Sequence, residues 1–161
     1  MAVVKVNYIK GERAPGGARA AGDYYTHREG TDRGARVWYT LAGEKVDRWR
    51  EIRSEVGQQA RENKYTYRMV LSQEESRFGP EHYREILEAA GMENGYFVVH
   101  LHTEHQHAHA IAFTDRRLRP HDFATMRGRM SAIEKSVEKS MSIEGDKTIT
   151  RDRGGEKGLG S

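Results

Sequence analysis

The sequence predicts an α+β domain: a central, largely antiparallel sheet with helices packed on one face. Three observations carry this. Short runs rich in Val, Ile and Tyr recur along the chain and are bounded by turn residues. Between them lie segments with apolar residues at steps of three and four, the helical period. Two strand-like runs, 96–102 and 107–113, follow one another directly and read as a hairpin. The resulting order is strand, loop, helix, strand, helix, strand, strand, helix, which suits an antiparallel sheet covered by helices.

The elements follow in order. "AVVKVNYI" (2–9) is a β-branched strand. "GERAPGGARAAG" (11–22) starts as a loop on its glycines and proline, and "GARAAGDYY" opens a short helix. "REGTDRGAR" (28–36) is turn chemistry. In residues 44–62, Val46, Trp49, Ile52, Val56 and Ala60 mark one helical face. "YTYRMVLS" (65–72) is a strand. In 79–91, Pro80 suits a first helical position, Tyr83, Ile86, Leu87 and Ala90 share a face, and Gly91 suits the stop. In 120–141, Phe123, Met126, Met130, Ile133, Val137 and Met141 form an apolar stripe, read as ordinary core. The domain therefore covers residues 1–143. Residues 144–161 carry no core pattern and read as a flexible tail.

Composition narrows the function. The chain has 161 residues, enough for one domain with a core, and 32% of them are charged. No apolar run approaches the length of a bilayer span, and no signal-peptide pattern opens the chain, so a cytoplasmic protein without a membrane segment is expected. The lack of cysteine excludes disulfides, thiolate zinc sites and cysteine nucleophiles. Net charge is +3, with basic residues in excess in 1–50 and 114–161 and acidic residues in excess between. That distribution permits a polyanionic partner at the two ends.

"HLHTEHQHAH" (100–109) holds five of the eight histidines. If 103–106 connects two strands, His102 faces His107 and His100 faces His109. Side chains alternate along strands, so His100, His102, His107 and His109 share one face. Phe97, Val99, Leu101, Ala108, Ala110 and Ala112 take the other, where the alanines admit a closely packed helix. Clustered imidazoles repel once protonated and gain little as packing, whereas a shared cation resolves the conflict. His107 and His109 would both be ligands, with His100 or His102 as the third, and His105 lies in the turn. Three protein ligands with open positions is a catalytic style of site.

At this point the residues resemble a family. A histidine pair separated by one hydrophobe on a strand resembles the HUH endonucleases, which cut single-stranded DNA through a tyrosine. Seven residues before the pair stands His100, as in the mobilization relaxases of conjugative plasmids. There the stretch often reads H-x-D-x-x-H-P-H-x-H; here His102 stands in place of Asp and Gln106 in place of Pro. All eight tyrosines precede His100, an order similar to relaxases and opposite to rolling-circle replication initiators. "GGARAAGDYYTHREG" (16–30) resembles the relaxase segment that carries the nucleophile. Tyr25 fits its Tyr-x-x-Arg-x-Gly spacing, and Tyr24 is held in reserve. Ser72, ending the strand 65–72, resembles the serine that positions DNA.

The resemblance implies a relaxase fold and a metal-dependent, site-specific nuclease acting on a plasmid transfer origin. Its metal triad would be His100, His107 and His109, with His102 beside it. The ion would be divalent, Mn or Mg first and Zn or Ni as alternates. Tyr25 would form a 5′-phosphotyrosyl intermediate, with His27, Glu104 or a bound water taking the phenolic proton. Single-stranded DNA would contact Arg19, Arg28, Arg36, Ser72, Arg116 and Arg117, with Arg13, Arg33, Trp38, Tyr39 and Arg119 as further candidates. Accessory mobilization proteins would be partners. Three other readings compete. They are a replication-initiator nuclease, a histidine-triad nucleotide hydrolase using His105, His107 and His109, and a non-catalytic metal-dependent DNA-binding module. Against the second, Gln106 breaks the required alternation and the Gly-rich lead is missing.

Overall fold

The structure is a computed structural model that describes residues 2–27, 36–73, 77–100 and 106–152, with side chains through residue 138. The β-branched N-terminal run forms β1, Val3–Ile9. A short 3-10 turn, Gly11–Arg13, leads into helix α1, Ala14–His27. Two brief strands follow, β2 (Trp38–Thr40) and β3 (Lys45–Val46). Then come α2 (Trp49–Glu62), β4 (Tyr65–Ser72), α3 (Pro80–Ala89), β5 (Asn94–His100), β6 (His107–Thr114) and α4 (Pro120–Asp152). The six strands form one sheet in the order β1-β4-β6-β5-β2-β3, every pairing antiparallel. The fold class is the expected α+β. Among the described residues, no helix is long and apolar enough to cross a membrane.

The layering differs from expectation: helices cover both faces of the sheet. Alternation along β6 sorts its side chains. Ala108, Ala110 and Ala112 join Phe97, Tyr83, Leu87, Met126 and Met130 in a core beneath α3 and α4. Ile111 and Phe113 join Trp38, Val98, Tyr25 and Trp49 in a second core beneath α1 and α2. The stripe is core at Met126, Met130 and Ile133, with Phe123 and Val137 partly buried against it, and the Met141 side chain lies outside the described residues.

Part of the second layer is α1. Its buried residues include Ala14, Ala18, Ala21 and Gly22, a face of small side chains rather than a hydrophobic stripe. Smallness is what lets it pack closely. A Cβ added at Gly22 would fall inside the Trp49 indole, which lies across this glycine. Pro15 sits in the first turn, where its missing N–H costs nothing. Gly16, read as loop, therefore belongs to α1, which begins three residues before Gly17, while Gly11 lies in the 3-10 turn. β2 and β3 were not anticipated, and Val46, assigned to a helical face, lies on β3. The helix α4 continues to Asp152, past the boundary set at residue 143. The turn expected at 28–36 lies outside the described residues except for Arg36.

Candidate metal centre

The hairpin exists, with its register shifted by two residues. His100 pairs with His107, and Val98 pairs with His109. A shift of two preserves the faces, so the histidines still project to one side. His102 and His105 lie outside the described residues. Ser72 pairs with His107 on the other flank, and Val70 with His109. Directly opposed residues share a face. Ser72, His107 and His100 thus form one row across β4, β6 and β5.

His100, His107 and His109 each offer a ring nitrogen, and the three nitrogens lie within 4.8 Å of one another. Ring centroids stand 4.6 Å apart for His100–His109, 4.9 Å for His107–His109 and 5.2 Å for His100–His107. Nitrogens bound to one tetrahedral ion at ~2.0–2.1 Å would be roughly 3.4 Å apart. His100 and His109 are buried and His107 is half-buried, so the cluster has one more accessible corner.

The His100 Nε2 stands 2.9 Å from the Tyr25 carbonyl oxygen. A carbonyl only accepts, so Nε2 carries the hydrogen and a neutral ring presents Nδ1 as its lone pair. A metal-ligating histidine typically has such a backbone partner on its other nitrogen. The donor set therefore fits a metal ion.

Tyr25 comes to the cluster from α1. Its ring stacks on His109 with centroids 4.1 Å apart and planes 19° from parallel. Arg68 Nε donates to the Tyr25 hydroxyl at 3.0 Å, and the guanidinium lies 5.6 Å from the ring centroid. The Tyr25 carbonyl also accepts from Arg36 Nη1 at 3.2 Å. Tyr25 is 2% exposed, whereas the adjacent Tyr24 is 57% exposed. Arg68 was missed by sequence reasoning. It lies two and four positions from Val70 and Ser72 on β4, so alternation from Ser72 was the available signal.

The other candidates disperse. Trp38 is core, its indole N–H donating to Thr26 Oγ1 at 3.0 Å, and Tyr39 stacks on Phe97. Trp38, 1% exposed, presents no ring for a base. Arg116 is engaged by Asp122 through two hydrogen bonds of 3.0 Å and by the Ala90 carbonyl. This network fixes the start of α4, and the Arg116 guanidinium holds the Asp122 carboxyl below its ordinary value. Arg117 and Arg119 are exposed beside it. Arg19 packs between α1 and α2 against Gly57. Arg28, Arg33 and Glu104 lie outside the described residues, and His27 is exposed at the end of α1.

Gln106, where the resembled family often has Pro, has a structural task. Its side chain accepts from Phe78 N at 2.9 Å and donates to Phe78 O at 2.6 Å. That pair ties the start of β6 to the segment leading into α3.

Comparison with known protein families, with curated proteins and with solved structures finds no match to this chain.

Proposed function

We propose that the protein is a metal-dependent single-stranded DNA transesterase of the relaxase type, nicking and rejoining a plasmid transfer origin in the cytoplasm. The observation that supports it is the meeting of two distant segments: Tyr25 lies against His109 within the His100, His107 and His109 cluster. An all-nitrogen donor set favours Mn²⁺ over Mg²⁺, with Zn²⁺ and Ni²⁺ as alternates. When bound, the ion would supply charge stabilisation at a scissile phosphate.

The chain's own residues do the rest. The Tyr25 hydroxyl oxygen attacks phosphorus, forming an O–P bond as the bond to the 3′ oxygen breaks. The phenolic proton passes to solvent and the 3′ oxygen takes one up, leaving a 5′-phosphotyrosyl link and a 3′-hydroxyl. Rejoining is the reverse, with the phenol as leaving group. Arg68 donates to that oxygen and so stabilises the charge it carries on departure. His100 and Arg36 hold the Tyr25 backbone, fixing the end of α1 relative to the triad. Ser72, in the row with His107, is suited to orient a phosphate.

A second assignment of the nucleophile has one observation in its favour. Tyr24 is the exposed member of the pair, with its ring 6.1 Å from that of Tyr25. The test incubates the protein with Mn²⁺ and an end-labelled pool of random-sequence single-stranded DNA, then resolves it on a denaturing gel. A covalent protein–DNA band is expected. It should vanish with EDTA, with His107→Ala and with Tyr25→Phe, and survive Tyr24→Phe. Loss with Tyr24→Phe alone moves the nucleophile by one residue. No band from any sequence in the pool refutes the function.

A further inference from the structure

Helix α2 sorts its charges by sign. Arg50, Arg53 and Arg61 fall at steps of three and eight and share one stripe with Ser54 and Gly57. Glu51, Glu55 and Glu62 fall on the adjacent stripe. The helix could have paired opposite charges four apart, yet positions 54 and 57, four beyond Arg50 and Arg53, hold serine and glycine. Like charges gathered in this way repel within the free protein.

The arginine stripe lines a groove against α1. One cavity of about 490 Å³ is bounded by Arg19, Arg50, Arg53, Ser54 and Arg61. A second, of about 710 Å³, shares Arg50 and Arg53 with it and adds Arg36, Arg48, His27 and Thr26. The two cavities share Arg50 and Arg53 and so lie side by side along α2. Gly57 is part of the arrangement, because a Cβ there would strike the Arg19 guanidinium that occupies the space. Asp23 neutralises Arg53 through hydrogen bonds of 2.9 and 3.0 Å. Asp47 lies 3.9 Å from Lys45. The groove keeps a cationic excess over its two aspartates.

From Arg50 to Arg61 the helix rises about 17 Å. That length exceeds one phosphate and fits a row of them. The far end reaches Thr26 and His27, the residues directly after Tyr25, and Arg36, which holds the Tyr25 carbonyl.

We infer that the α1–α2 groove is a phosphate track for a single-stranded polynucleotide, running along α2 and delivering the strand to the end of α1. The choice of a polynucleotide rests on the proposed function; the charge and length of the groove do not. The track would grip the strand to one side of the nick.

The test measures binding of a labelled single-stranded 20-mer by fluorescence anisotropy in EDTA, across a salt series, so that cleavage plays no part. Arg50→Ala/Arg61→Ala removes two exposed charges from the track. Arg127→Ala/Arg129→Ala removes two exposed charges from α4, on the opposite layer. Circular dichroism confirms that both fold. With a slope of about −0.7 per phosphate contact on single strands, losing two contacts flattens the salt slope by roughly 1.4. Binding should weaken roughly 25-fold at 0.1 M salt, with the curves converging near 1 M. The α4 variant should bind as the wild type does. Equal loss in both variants, or no loss in the first, overturns the track. Displacement of the 20-mer by polyglutamate at matched charge overturns the polynucleotide assignment. Track-dependent binding without any covalent adduct in Mn²⁺ would leave the track standing and remove the nuclease.

Discussion

Removing one imidazole should separate metal binding from folding. His107 is the perturbation of choice because it is half-buried, while His100 and His109 are buried. Its replacement by alanine should change metal-free stability by about 1 kcal/mol or less. Metal that binds the folded state stabilises it by RT ln(1 + [M]/Kd), or about 1.4 kcal/mol per decade above Kd. For a chain of this size, 1 kcal/mol moves Tm by ~2–4 °C. Wild-type protein titrated with Mn²⁺ or Zn²⁺ should therefore gain ~3–6 °C per decade once Kd is passed. His107→Ala should stay flat over the same range, since two imidazoles hold an ion far more weakly than three. His121→Ala, at an exposed position on α4, should climb like the wild type. Scanning calorimetry or dye-monitored melting reads all three. If His107→Ala climbs with the wild-type slope, metal binds elsewhere and the triad is a packing cluster.

Three further outcomes follow. Gly22→Ala should destabilise by ~1–3 kcal/mol in urea despite alanine's better helix propensity, because the Trp49 indole occupying that space is anchored to Asp23; a gain in stability would refute the close α1–α2 contact. Gln106→Ala should cost ~2–4 kcal/mol by leaving the Phe78 N–H and carbonyl buried without partners; a loss under ~0.5 kcal/mol, the range of an ordinary surface change, would refute that link. Asp122 has its folded pKa lowered by Arg116, so its contribution is present above the unfolded value of ~3.9 and is lost as pH falls through the folded one. Asp122→Asn should cost ~1–2 kcal/mol at neutral pH, and the difference from wild type should shrink in acid below that value; a constant difference down to pH 2 would refute the linkage.

What was legible in the sequence was what periodicity encodes. β4 was read to its ends, and α2 and α3 were recognised from their apolar faces. The histidine face survived a register error because a slip of two leaves alternation intact. The layering was not legible. α1 buries alanine and glycine, whose composition signals a turn and a close helix contact alike. With no apolar stripe on α1, the second core was signalled only by the stripe of α2 and by Ile111 and Phe113 on the histidine face. β2 and β3 were too short to show a period. The approach of Tyr25 to His109 spans most of the fold, and only the family resemblance linked the two segments beforehand. Arg68 was hidden for a simpler reason: a lone arginine in a strand reads as solvent-facing until the opposite face is known to be covered.

Tyr25 and the three histidines are proposed to act together on single-stranded DNA. The direct measurement is mass spectrometry of the tryptic peptide containing residues 24 and 25, after reaction with DNA and Mn²⁺ and nuclease trimming. A nucleotide phosphate on Tyr25, absent from His107→Ala protein, is the predicted result. An unmodified peptide, from protein whose metal-dependent Tm rise shows the ion bound, would contradict the claim.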